Sequence, residues 1–292
     1  MNAAPPLYRD FATQEQIDAQ YDPAIPVADR AAEARHCAER SAQARAELRC
    51  HLGVPYGPTR AETLDIFPAD APGAPVFVFI HGGYWRALSS KEFSCVALGL
   101  QRRGITVVVP DYALCPAVTV EEIVRQMRAA CAWTLRRIQD YGGDPRRVAV
   151  GGSSAGGHLA AMCLQTAWER DYGLPQDPFA AAAMASGLYD LAPLRHSYLQ
   201  PKIQLTEELV RRCSPIHGVR PCATPVLLTW GGREQPEFAR QSLAYRAAWE
   251  AAGNRAELLD QPDAHHFSAI HGFEQPGHPL CDWLARRLGL DA

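Results

Sequence analysis

From about Phe77 onward, short apolar runs alternate with longer stretches in which apolar residues recur every three or four positions. Runs such as Val76–Ile80 (VFVFI), Ile105–Val109, Val148–Val150, Ala181–Ala185 and Val226–Trp230 are apolar at successive positions, as strands covered on both faces must be. Leu64–Phe67 supplies an earlier strand and Ala256–Leu259 a last one. Between the strands, Thr119 and Glu122 have the spacing of a capping box. Ile123, Val124, Met127, Cys131, Leu135 and Ile138 then line one helical face until Gly142-Gly143. Pro236–Ala252 is a second such helix, closed by Gly253-Asn254. Alternation of this kind predicts an α/β fold with a mostly parallel central sheet flanked by helices.

The first sixty residues break the pattern. A proline-broken stretch, Tyr21–Pro26, leads into a polar Ala/Arg/Glu-rich helix over Ala28–Cys50, with no Gly/Ser linker after it. This predicts one domain over 1–292, with 1–60 folded onto it as an N-terminal helical cap.

Composition narrows the class. The 292 residues are 47% hydrophobic and 21% charged, which suits a globular core and argues against disorder. A net charge of −3, from 29 basic and 32 acidic residues, gives no field for a polyanion, so nucleic acid is not an expected partner. Nine cysteines with no CxxC pair read as reduced, mostly structural thiols. The start, MNAAPPLYRD, lacks a basic segment followed by an apolar run, and the longest near-apolar stretch, Phe179–Leu188, is too short for a bilayer. A cytoplasmic protein with no membrane partner is expected; a homodimer is left open.

Chemistry concentrates at Val148-Ala-Val-Gly-Gly-Ser-Ser-Ala-Gly-Gly-His158, a strand running through glycines into a helix. Gly152-Ser153-Ser154-Ala155-Gly156 matches G-x-S-x-G, in which the glycines permit a tight, strained turn that projects a serine nucleophile. Ser154 has both glycines at the required spacing; Ser153 does not. Neither GxGxxG nor GxxxxGK[ST] is present, which weakens a phosphate-cradling reading. His81-Gly82-Gly83-Tyr84-Trp85 follows the VFVFI strand, where a glycine-rich loop can aim backbone amides at a developing oxyanion. The expected donors are Gly83 and Tyr84, with Ala155 as a third.

A nucleophilic serine needs an acid and then a histidine later in the chain. Val226–Trp230 is followed by a loop containing Glu234, whereas Glu237 falls in the first helical turn and suits the helix dipole. Asp260 and Asp263 lie too close to the histidines. After the last strand, Asp263-Ala-His265-His266-Phe267 offers two histidines. His271 and His278 are expected to face solvent, and His158, His196 and His217 to be packed or capping residues.

These motifs together resemble the hormone-sensitive-lipase-like branch of the α/β-hydrolases, and most closely the serine-dependent kynurenine formamidase (arylformamidase) group. The likeness runs through Tyr21-Asp22-Pro23, Leu64–Pro68, HGGYW at 81–85, Asp111–Pro116, the elbow, Ser186–Leu191, Pro236-Glu237-Phe238 and His266-Phe267. In that group the acid lies two residues before Pro-Glu-Phe, which implies Glu234, and the histidine precedes phenylalanine, which implies His266. The chain departs from it in having Glu where Asp is more usual and Gly-Ser-Ser-Ala-Gly for Gly-His-Ser-Ala-Gly. The resemblance implies a two-step acyl transfer by Ser154, Glu234 and His266 on an N-formyl arylamine such as N-formylkynurenine, or on a short acyl or aryl ester. An aromatic leaving group would stack near Tyr84, Trp85 or the cap. No cofactor and no metal are expected.

Overall fold

In a computed structural model, residues 5–290 are described; Met1–Ala4, the start of the stretch read above as lacking a leader, and Asp291–Ala292 lie outside them. The N-terminal segment forms α1 (Gln14–Tyr21), started by a Thr13/Gln16 capping box, and α2 (Arg30–Glu47), capped by Asp29. It then enters the sheet as β1 (His51–Pro55), so the segment read as a cap ends in a strand. That strand escaped the periodicity because its burial is low and Gly53 has a positive φ.

The sheet continues with β2 (Thr63–Phe67), β3 (Ala74–Ile80), α3 (Ala97–Arg102), β4 (Thr106–Pro110), α4 (Val120–Arg137), β5 (Gly143–Ser153) and α5 (Ala155–Leu164). After them come α6 (Trp168–Tyr172), β6 (Ala181–Ala185), α7 (Gln200–Ile203), α8 (Glu207–Cys213), β7 (Val226–Gly231), α9 (Pro236–Ala251), β8 (Ala256–Gln261) and α10 (Pro279–Arg287). The eight strands lie in the order β1-β2-β4-β3-β5-β6-β7-β8, antiparallel at β1–β2–β4 and parallel elsewhere.

Side-chain alternation explains why the central runs are apolar throughout. Val76, Val78 and Ile80 face one core layer with Val148 and Val150, while Phe77 and Phe79 face the other with Val107 and Val109. Burying each such side chain contributes roughly 2 kcal/mol. The first layer is covered by α4, α5 and α9, the second by α3, α10 and part of α2.

Only half of the expected capping box forms on α4. Thr119 accepts from the Glu122 amide at 3.2 Å, but the Glu122 carboxylate is taken by Arg125. All nine cysteines are free. Among the described residues no helix is long and apolar enough to cross a membrane.

Candidate active site

Parallel strands end together, and the loops leaving β3, β5, β6, β7 and β8 converge at that edge. Ser154 is the apex of the β5–α5 turn, with φ 57° and ψ −119°, a strained conformation for a residue with a side chain. Two features hold it there. Its amide donates to Ala185 O at 2.8 Å, and the turn passes so close to β3 that a Cβ on Gly156 would collide with the Ile80 carbonyl. Ser153 ends the strand instead of occupying the apex.

The β3 loop lies against this turn: a Cβ on Gly82 would stand 3.3 Å from Ser154 Cβ. Gly83, Tyr84 and Trp85 all have positive φ, of 108°, 49° and 58°. The backbone amides of Gly83, Tyr84 and Ala155 donate to no protein acceptor among the described residues. The loop is braced from behind, since Tyr112 stacks on His81 and its hydroxyl donates to His81 O at 3.0 Å.

Glu234 follows β7, and its side chain is almost wholly buried. One carboxylate oxygen accepts from the Gly231 amide at 2.6 Å and from Ser186 Oγ at 2.5 Å. The other lies 2.6 Å from His266 Nδ1. With Nδ1 engaged, the His266 ring packs on Phe238 and Nε2 is left for another partner. His265 turns the other way, its Nε2 3.2 Å from Glu33 on α2.

Ser153, Ser154, Gly82, Gly83, Tyr84 and His266 line a cavity of about 390 Å³. Its remaining walls are mostly apolar, from Leu88, Phe93, Phe267, Ile270 and Tyr198, with Asp22, Arg30, Glu33 and Cys37 contributed by the N-terminal segment.

Several expectations change. Trp85, expected to contact the substrate, does not line the cavity: it is fully buried and donates from Nε1 to His158 Nδ1 at 3.2 Å. His158 is packed as expected: on the elbow helix, its Nε2 meets Cys213 O at 2.7 Å, and burial pushes its pKa down to about 4, so it stays neutral. His271 and His278 do not face open solvent. His271 is half-buried against His36, and His278 accepts from the Leu280 amide to cap α10. Glu237 is also more than a dipole partner, since it is buried, pairs with Arg240 at 2.6 Å and accepts from Tyr21 OH at 2.6 Å.

Sequence reasoning missed Ser186. Its position just after β6, within the Ser-Gly-Leu-Tyr-Asp-Leu run, was the available signal, but nothing local shows that its hydroxyl reaches Glu234.

A parallel sheet with a strained serine turn, free amides beside it and a buried carboxylate on a histidine defines a hydrolase of the α/β class. The α/β-hydrolase fold model matches residues 77–270, and the chain belongs to that family as a serine hydrolase of its hormone-sensitive-lipase-like branch. Among its relatives, kynurenine formamidase of Danio rerio is 30% identical over 254 residues, 85% of each chain. Esterase LipQ of Mycobacterium tuberculosis is 31% identical, over 73% of this chain and 56% of LipQ. A solved structure described as a candidate thioesterase, from Silicibacter sp. tm1040, superposes with a TM-score of 0.83 at 26% identity, covering 92% of this chain and 99% of that one.

Proposed function

We propose that Ser154, Glu234 and His266 form a catalytic triad that hydrolyses N-formyl arylamines of the N-formylkynurenine type. The observation that carries the triad is the 2.6 Å Glu234–His266 bond beside a serine at positive φ on the same cavity. Glu234 holds Nδ1–H, so Nε2 takes the proton of Ser154 Oγ as it attacks the formyl carbon. The amides of Gly83, Tyr84 and Ala155 stabilise the oxyanion. The C–N bond then breaks, His266 returns the proton to the departing arylamine, and a formyl ester remains on Ser154. Water, losing a proton to His266, attacks this ester and releases formate.

The substrate class is supported by the similarity to kynurenine formamidase and by HGGYW at 81–85. Largely apolar walls suit an aryl group beside a one-carbon acyl. In this reading 1–292 works as one hydrolase domain, with the N-terminal segment supplying a wall of the site. The test is a kinetic panel of formyl, acetyl and butyryl anilides with N-formylkynurenine. Formyl should be cleaved fastest; a flat or reversed chain-length preference overturns the formamidase reading. Similarity to LipQ favours a second reading, a carboxylesterase, which preference for p-nitrophenyl butyrate without formamidase turnover would select.

A further inference from the structure

Helix α2 and the segment after His266 meet in a cluster that the acyl-transfer chemistry leaves unused. Glu33 and His36 stand one turn apart on α2, and His271 and Glu274 one turn apart on the 3₁₀ segment Ser268–Glu274. His36 Nε2 lies 2.9 Å from Glu274 Oε1, and Arg40 Nε lies 2.7 Å from Oε2 of the same carboxylate. Across the cluster, His271 Nε2 is 3.6 Å from Glu33 Oε2, and the His36 and His271 rings stack at 4.1 Å.

As a hydrogen-bonded patch this arrangement is incomplete. Glu33 Oε2 and His271 Nε2 are both buried and neither has a hydrogen-bond partner. The two atoms face each other at 3.6 Å, too far for a hydrogen bond, so the solvation each has lost is only partly offset. Their spacing suits a shared cation. Two ligands bonded at about 2.1 Å to a tetrahedral ion stand roughly 3.4 Å apart. Donor atoms of His36, His271 and Glu274 lie within 4.8 Å of one another, so side-chain rotations closing the widest spacing by about 1.4 Å would bring these three to tetrahedral distances, with Glu33 Oε2 beside His271 Nε2 as the fourth.

We propose that Glu33, His36, His271 and Glu274 bind one divalent transition-metal ion, with Zn²⁺ the best match to two imidazoles and two carboxylates. His265, 3.2 Å from Glu33 Oε1, and Arg40, on Glu274, orient the two carboxylates from outside. The linear sequence hides the set because His36 and Glu274 are 238 residues apart. A bound ion would pin α2, which contributes Glu33 and Cys37 to the cavity wall, to the segment that follows His266.

The test is calorimetric titration of ZnCl₂ into the EDTA-stripped full chain at neutral pH, with thermal unfolding as a second readout. The expected result is one ion per chain and a Tm raised by zinc, because the ion favours the folded state. His271→Ala and Glu33→Gln should each weaken binding at least about tenfold and abolish the zinc-dependent Tm shift. Glu33→Gln keeps the shape of the side chain, so it remains informative if His271→Ala folds poorly. Cys37→Ser and His266→Ala should retain full affinity. Loss of binding in either of these, undiminished binding in both ligand variants, or no saturable binding by wild type below about 100 µM would each overturn the site.

Discussion

The floor and the N-terminal wall of the cavity are built by different means. The floor is fixed by backbone: positive φ at Ser154, Gly83, Tyr84 and Trp85, and a glycine pressed against the Ile80 carbonyl. The wall is fixed by side chains reaching across the fold. Tyr21 OH donates to Glu237 and accepts from Gln241, Tyr8 OH donates to Asp190, and Tyr84 OH donates to Tyr21 O. Chemistry tolerates little displacement at the reacting atoms, and backbone geometry is the stiffer of the two supports. A wall that only has to contact substrate can rest on hydrogen bonds, each of which is weak and replaceable.

The largest expected effect lies in the floor. Ser154→Ala should lower turnover by about 10⁴–10⁶-fold with the fold intact, by analogy with other triads. Steady-state kinetics beside far-ultraviolet circular dichroism checks both halves of that statement, and residual activity within tenfold of wild type would remove Ser154 as nucleophile. Ser186→Ala is the finer probe. Loss of its hydrogen bond to a buried carboxylate should cost about 1.5–3 kcal/mol, or roughly 10–100-fold in kcat with KM little changed. A change confined to KM would show that Ser186 acts on substrate binding and not on the Glu234–His266 pair.

The contrast also explains what could be read from sequence. The elbow and the HGGYW loop are local because backbone turns are made by consecutive residues, Glu234 and His266 were marked by the loops that follow late strands, and the strands were legible because both faces are buried. The wall was not legible. Tyr21 and Glu237 are 216 residues apart, and Glu237 looked like an ordinary first-turn carboxylate until the fold brought a tyrosine to it. Trp85 misled for a related reason: an aromatic beside an oxyanion loop suggests a substrate contact, but its partner is His158, supplied by the helix after the elbow. Between His265 and His266 spacing alone left the choice open, and the bond to Glu234 separates them.

Under the floor, His158 ties stability to pH. It accepts from Trp85 at Nδ1, so it must stay neutral, and burial lowers its pKa from 6.5 to about 4. Well above pH 6.5 neither folded nor unfolded chain protonates it and no penalty arises. As pH falls from 6.5 towards 4 the unfolded chain gains the proton first, and stability drops by about 3 kcal/mol from this group. Denaturant titrations at pH 7 and pH 4.5 should show the loss, and His158→Gln, less stable at pH 7, should show a shallower pH slope. An unchanged slope would mean that other groups govern acid stability.

The smallest effect tests the wall. Tyr21→Phe removes a hydroxyl that donates to Glu237 and accepts from Gln241, but Arg240 still neutralises Glu237, so no bare charge is left. The expected loss is about 1–2 kcal/mol of stability by denaturant midpoint. Catalytically the change should be a rise in KM of a few fold at nearly constant kcat, because the aromatic ring, and with it the Tyr21 carbonyl that receives Tyr84 OH, stays packed against Phe238. A fall in kcat comparable to that of Ser186→Ala would break the contrast between the two regions, since it would mean that the wall's hydrogen bonds reach through Tyr84 to the amides proposed to hold the oxyanion.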